Sequence, residues 1–309
     1  MWSMKAGTDR IALTALVASA ILGGGNGVGV RFSNRELDPL WGAGLRFGLA
    51  ALVMLAVMAV FRLKLPRGRE LAGAALFGAL HVGAAFALVY FGLVKVHGGM
   101  GQLLVSVAPL TTLLLAAAWR QERITVAAVA STAPAIAGVT VLSWQALAGP
   151  VPVIYVLAVI AGGLCIAQAA VVARAFPPVH PVTMNAVGLS VGAAILLALS
   201  ALHGDTWALP QHAETRLALV YLVLGGTATA FLLYLVVLRY WSASRTSYQA
   251  VLIPIVTVAL SAWLDDEPIG AGLLIGGPLI LAGVYFGAIR RPSRCPSPAG
   301  EPDLSGHSK

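Results

Sequence analysis

The chain has 309 residues, 59% of them hydrophobic and 10% charged, with a formal net charge of +8. A soluble domain carries about 25% charged residues, so this composition excludes one and defines a membrane protein. Apolar runs of the length a bilayer core demands, about 20 residues for roughly 30 Å, recur along nearly the whole sequence and leave no room for a soluble domain.

Ten runs are expected as transmembrane helices, at 11–30, 42–61, 71–92, 99–119, 125–144, 152–172, 182–202, 216–238, 245–264 and 269–289. They lack the alternation of barrel strands, and within lipid only a helical bundle then satisfies the backbone. The first run follows Lys5 and Arg10 and contains Ala18-Ser19-Ala20, which imitates a signal peptide and its cleavage site. Its apolar stretch continues past that point, so it reads as a helix.

The same run holds "ILGGGNGVGVRF", Ile21 to Phe32. A dinucleotide loop needs a preceding strand and the spacing G-x-G-x-x-G. Gly25, Gly27 and Gly29 miss that spacing inside an apolar run. Their expected role is to let helix backbones approach or to open onto a cavity.

The second run follows Pro39 and carries Arg46, the one full charge well inside a helix, about 8 Å below the boundary. An intramembrane charge is a candidate for substrate binding or gating; its long stem could instead snorkel to the headgroups. The third run places His81 near its middle. That side chain either exchanges a proton at physiological pH or bonds, neutral, to a neighbouring helix.

The fourth run contains Pro109 and the ninth Pro254, each about ten residues in. A proline there frees the carbonyl four residues earlier, at Val105 or Ala250, and bends the helix. The readings are a substrate site or a packing kink. Glu122 and Glu267 begin the helices that follow, where a helix dipole favours negative charge, and are expected to be structural caps.

The remaining polar side chains within runs are Asn26, Tyr90, Gln102, Gln168, Asn185, Tyr234, Tyr248 and Gln249. They can orient a small polar ligand or bond helix to helix. Asp265-Asp266-Glu267 has no histidine nearby and reads as a solvated turn, so neither a metal nor a cofactor is expected. Cys165 lies in a helix and Cys295 in the tail, which argues against a disulfide framework.

Lys and Arg fix the orientation. With the amino terminus inside, the inner connections hold fifteen of them and the outer ones four, Arg31, Arg35, Lys95 and Arg216. Both termini are expected in the cytoplasm, where the basic surplus faces anionic lipid and not nucleic acid.

Sliding the sequence by 145 residues superposes Phe86 on Phe231, Pro109 on Pro254, Thr112 on Thr257, Glu122 on Glu267 and Ala137-Gly138-Val139 on Ala282-Gly283-Val284. The repeat unit is five helices, an odd number, so the second copy enters the membrane inverted. The expected division is 1–145 and 146–290, with a disordered Pro- and Ser-rich cytoplasmic tail at 291–309. Inverted repeats and matched helix interruptions are features of secondary transporters that alternate access around a midplane site.

The segments "SVAPLTTLLLAAAWRQERIT" and "VLIPIVTVALSAWLDDEPIG", with "DPLWGAGLRFGLAALVM", resemble the paired signatures of EamA-type carriers in the drug/metabolite transporter superfamily. The resemblance runs from about 11 to 289 and implies ten helices in two repeats. Where that family often has Trp-Gly in the outer half of the first helix, this chain has Gly-Gly-Gly-Asn.

The resemblance implies a secondary carrier for amino acids or related small metabolites, in the direction of efflux, in the cell membrane. A channel-like facilitative permease is one alternative. A membrane-embedded enzyme is another, and Ser106 or Ser190 with His81 would supply residue types for a protease without a motif. The repeat argues against an enzyme, which needs no inversion symmetry. The short loops suggest no soluble partner, and nothing in the sequence sets an oligomeric state.

Overall fold

The computed structural model describes residues 2–93, 95, 104, 108–142, 152–264 and 271–289. Every regular element among them is helical. Helix α1 (Trp2–Ser33) leads to α2 (Pro39–Val60), and α3 (Arg69–Gly78) runs through a π-helical turn (Ala79–Ala84) into α4 (Ala85–Leu93). Then come α5 (Ala108–Ala118), α6 (Val126–Ala130), α7 (Thr132–Leu142), α8 (Val153–Ala175) and α9 (Pro181–His203). Helix α10 (Ala213–Val223) continues through a second π turn (Leu224–Thr229) into α11 (Ala230–Tyr240), and α12 (Ala243–Thr246), α13 (Gln249–Leu264) and α14 (Ala271–Val284), which runs into a terminal π-helical segment (Tyr285–Ile289), close the order.

Six stretches are long and apolar enough to cross a membrane: Asp9–Val30, Pro39–Val60, Arg69–Gly92, Val153–Ala175, Pro181–His203 and Ala213–Tyr240. Shorter apolar helices cover Ala108–Ala118, Val126–Val141 and Leu274–Gly287. The outward faces are apolar, with Leu52, Leu202, Leu217 and Leu274 exposed. That pattern costs free energy in water and is stable only where lipid covers it.

Local chemistry explains the boundaries. Pro39 and Pro181 stand in the first turn of α2 and α9, where the missing N–H has no partner to lose. Helix α2 stops with Arg62 at φ 50° and α5 with Arg120 at φ 58°. In both, the pair of return bonds is complete: Leu63 N to Met58 O with Arg62 N to Ala59 O, and Gln121 N to Ala116 O with Arg120 N to Ala117 O. These left-handed closures cap exposed carbonyls with a residue other than glycine.

The broad helix pairs join the first half of the chain to the second: α2 with α9, α7 with α14, α4 with α8, and α1 with α13 and α11. Small residues make the approach possible. A side chain at Gly24 would meet Val256 on α13, one at Gly78 would meet the backbone of Gly188, and one at Gly283 would meet the backbone of Ala135. Gly23 and Gly24 are therefore packing glycines against α13, and Gly25 and Gly29 against α10.

Two interruptions differ from expectation. The fifth run breaks at Ser131 and the ninth at Ser247–Tyr248. Helix α13 begins at Gln249, so Pro254 lies in its second turn, about 8 Å from its start. Pro109 is the second residue of α5, and the residues just before Ala108 lie outside the described set. The sharper irregularities are the π turns inside the spans Arg69–Gly92 and Ala213–Tyr240. They sit 145 residues apart, in the register that superposes the two proline helices.

Candidate functional site

At one end of the bundle the connection between α1 and α2 is clamped to the one between α9 and α10. Asp38 accepts from Thr206 N at 2.8 Å and Thr206 Oγ1 at 2.6 Å, and Trp41 donates its backbone N–H to Asp205 and its ring N–H to Ala208 O. The Trp41 and Trp207 rings stack at 4.8 Å. Glu36 accepts from the backbone N–H groups of Gln211 and His212. The Gln211 bond is the main cause that lowers the Glu36 carboxyl from 4.5 to about 2, and the Thr206 bonds lower Asp38 as well.

At the other end Glu122 accepts from the backbone N–H and the hydroxyl of Ser244, in the first turn of α12. The helix that follows Glu122 in sequence is capped by Thr125 instead, through Ala128 N at 3.1 Å. The expected cap therefore serves a helix of the other half. Trp241 donates to Asp9, Arg174 bonds Leu238 O and Trp241 O, and Ser131 bonds the Tyr248 phenol at 3.1 Å. A cavity of about 540 Å³ opens here, reaching from Arg174, His180 and Arg239 to Met184 and Leu235.

Between the two ends lies a polar cluster. Arg46 on α2 is 2% exposed. Its Nε donates to Thr227 Oγ1 at 2.7 Å and its Nη2 to Gly226 O at 3.3 Å. Asn26 Nδ2 on α1 donates to the same carbonyl at 2.9 Å. Gly226 and Thr227 belong to the second π turn, near the middle of Ala213–Tyr240. Only a glycine at 226 admits the Asn26 amide, which occupies the space of a Cβ.

The electrostatics are one-sided. Among the described residues no carboxylate pairs with Arg46, and its hydrogen-bond partners are neutral oxygens. A guanidinium taken out of water costs several kcal/mol when no anion compensates it. The phenols of Tyr90 and Tyr221 lie within Coulombic reach of it. Tyr221 also donates to Leu22 O at 2.8 Å. Asn26 Oδ1 is buried without a donor among the described residues.

Aromatic rings continue from Arg46 toward the cavity end. The guanidinium carbon lies 4.9 Å from the Phe47 centroid and 5.9 Å from that of Phe86. Phe47 contacts Phe231, and Phe231 meets His81 edge-on at 5.1 Å. His81, in the first π turn, is sandwiched by Phe77 at 4.9 Å and Tyr234 at 5.2 Å, with Nδ1 unpartnered among the described residues. An aromatic cage, not a bond from Nδ1 to a neighbouring helix, holds this histidine.

The structure thus brings together Asn26, Arg46, His81, Tyr90 and Tyr234. It does not bring Tyr248 and Gln249 to them; both belong to the α12–α13 end. Gln168 is half-buried on α8, and Pro109 and Pro254 are buried on their helices apart from the cluster. Gln102 and Glu267 lie outside the described residues. Sequence reasoning missed Gly226, Thr227 and Tyr221. The signal available was Gly225-Gly226-Thr227, a flexible and polar interruption in the middle of an apolar run.

A multi-pass helical bundle that buries a cation and an amide together inside its spans is compatible with a membrane transporter. The chain belongs to the EamA-like transporter family, whose sequence profile matches residues 10–144 and again 153–288. A "Probable terminal-alkyne amino-acid exporter" of Streptantibioticus cattleyicolor is 31% identical over 263 residues, 81% of this chain and 85% of that one. An "Uncharacterized transporter" of Archaeoglobus fulgidus is 25% identical over 267 residues, 83% of this chain and 91% of that one. A crystal structure with 19% identity superposes with a TM-score of 0.77 over 92% of this chain and 98% of that one, which shows a shared fold alone. The protein is a transporter, not an enzyme.

Proposed function

We propose that the protein is a secondary carrier that exports amino acids or related small metabolites across the cell membrane by alternating access. In this reading ten spans form two inverted five-helix repeats, residues 1–145 and 146–290, with both termini and the 291–309 tail in the cytoplasm. The family profile matches twice, and the two π turns repeat at the same 145-residue offset; both observations support the inversion.

The observation that carries the substrate assignment is Arg46, a buried guanidinium among neutral partners. It suits a carboxylate, Asn26 Oδ1 suits an ammonium, and the Phe47, Phe86 and Phe231 rings suit an apolar side chain. The name of the Streptantibioticus relative points the same way. The clamp at Glu36 and Asp38 closes the outer end, while the cavity near Arg174 opens the inner one and reaches in as far as Met184 and Leu235. Tyr90 borders the cluster; Pro109, Pro254, Gln102, Gln168, Tyr248 and Gln249 act in gating, and Glu122 and Glu267 as caps.

Counterflow in proteoliposomes tests the reading. Purified protein is reconstituted, and uptake of radiolabelled amino acids is followed with and without unlabelled amino acid inside. Saturable uptake accelerated by internal substrate is expected. Uptake that internal substrate leaves unchanged assigns a channel-like permease instead.

A further inference from the structure

The carrier reading leaves open how one arginine serves both the fold and a ligand, and the geometry answers that. We propose that Arg46 divides its guanidinium between two tasks. The side edge, Nε with Nη2, grips the π turn of the span Ala213–Tyr240, and the end edge, Nη1 with the second Nη2 hydrogen, receives the carboxylate of the transported compound. Thr227, Gly226 and Asn26 are positioning residues that aim the arginine. The proposal rests on the carrier reading and names the substrate chemistry of that site.

A guanidinium presents two planar forks and two faces. Its side fork is occupied, by Thr227 Oγ1 at 2.7 Å and Gly226 O at 3.3 Å. Its central carbon lies over the rings of Phe47 and Phe86. The end fork remains, and Nη1 makes no hydrogen bond among the described residues. That fork matches the two oxygens of a carboxylate. With only neutral oxygens on the side edge, the net positive charge is uncompensated, and an arriving monoanion supplies what burial removed.

A purely structural role would make the same quartet necessary wherever the fold needs a π turn. It does not. The first π turn has the same length and the same register, yet His81 and Val82 stand where the second has Gly226 and Thr227. Aligning the helix-starting prolines Pro39 and Pro181 places Gly188 opposite Arg46. The first turn is held by close backbone packing of Gly78 on Gly188. The fold therefore builds a π turn without an arginine, and the arginine on one side only is there for another reason. Gly226 belongs to the arrangement because its bare Cα lets Asn26 share the carbonyl and fix the turn toward α2.

The test is direct binding to the purified full chain, by isothermal titration, of each of the twenty common amino acids and of the corresponding amino-acid amide. The amide keeps the side chain and the ammonium but removes the negative charge. At least one acid is expected to bind, with its amide at least about 30-fold weaker, as expected where a charge-assisted bidentate pair is lost. Arg46→Lys should abolish that preference, because an ammonium cannot hold the π turn and a carboxylate at once. Thr227→Val should weaken the acid about tenfold, the loss of one hydrogen bond to a charged group, and leave the amide unchanged; Thr227→Ser should bind as wild type does.

Equal binding of acid and amide, no acid binding at all, or a Thr227→Val variant with undiminished preference would each overturn the proposal. A loss of fold alone would lower acid and amide binding together, which the ratio separates. Counterflow of the bound acid is scored apart from this. Binding with acid preference but without flux removes the carrier reading and keeps the Arg46 assignment, whereas flux without acid preference does the reverse.

Discussion

Substitution of Gly78 by alanine tests the helix crossing on which the cluster depends. Gly78 closes α3 just before the first π turn, and an added Cβ would lie 2.5 Å from the carbonyl carbon of Gly188 on α9, where ordinary contact is 3.4–4 Å. Neither partner has a side chain that can rotate away, so the two helices must separate by roughly 1 Å along their crossing. Overpacking of this kind costs about 1–3 kcal/mol, and the rigid backbone places Gly78→Ala at the upper end. On a scale of about 2–4 °C per kcal/mol, the midpoint of thermal unfolding in detergent should fall by at least about 5 °C.

Gly163→Ala is the internal control. It is also a glycine inside a helix, but nothing lies within 4 Å of its added Cβ. Its midpoint should stay within about 2 °C of wild type, helped by the higher helix propensity of alanine. Melting followed by intrinsic fluorescence on the two variants side by side is sufficient. Equal midpoints for Gly78→Ala and Gly163→Ala would refute the α3–α9 contact and with it the argument that the first π turn is held by backbone packing.

Four further outcomes follow from single contacts. Trp41→Phe removes the 2.7 Å bond to Ala208 O, which is worth about 1 kcal/mol; chymotrypsin should then cut the 205–211 connection faster than in wild type. The Glu36 carboxyl, lowered from 4.5 to about 2, stabilises the clamp above its ordinary range and releases it as pH falls toward 2. Near-ultraviolet circular dichroism of the Trp41–Trp207 stack should be lost in that window, and Glu36→Gln should weaken it already at neutral pH. Arg120→Gly relieves a left-handed residue at φ 58° and should stabilise by about 1 kcal/mol, read as a higher melting midpoint. Ser131→Ala strips the buried Tyr248 phenol of a partner at 3.1 Å and should destabilise by about 1 kcal/mol in the same assay.

The helical membrane bundle was legible because bilayer thickness writes itself into run length, and helix starts at Pro39 and Pro181 follow from a ring that donates no hydrogen bond. Arg46 was legible because a charge in an apolar run costs too much to be incidental. Its partners were not. Thr227 and Gly226 are ordinary residues for a membrane helix, and only their placement opposite Arg46, 181 and 180 residues away in sequence, makes them part of the candidate site. A π turn inserts one extra residue per turn without any obligatory composition, so periodicity alone gives no sign of it. Glu122 looked like the cap of its own helix because a sequence records neighbours along the chain; Ser244, its partner, comes from the other half.

Pseudo-symmetry and chemistry then divide the labour. Interfaces that only have to pack are built the same way on both sides: α7 meets α14 through Gly138 and Gly283, and α4 meets α8 as α11 meets α1. Around the two π turns the halves part company: Arg46 and Asn26 bond the second, at Thr227 and Gly226, and a caged histidine occupies the first. If the proposed carrier moves a small asymmetric metabolite, that compound cannot present the same face to both π turns, and equal chemistry on both would leave one set of polar groups unpaired at about 1–3 kcal/mol each. Confining the polar groups to one turn and filling the other with Phe77, His81 and Tyr234 avoids that cost. In the carrier reading, the repeat supplies two irregular turns for motion, and the substitutions between them set what is bound.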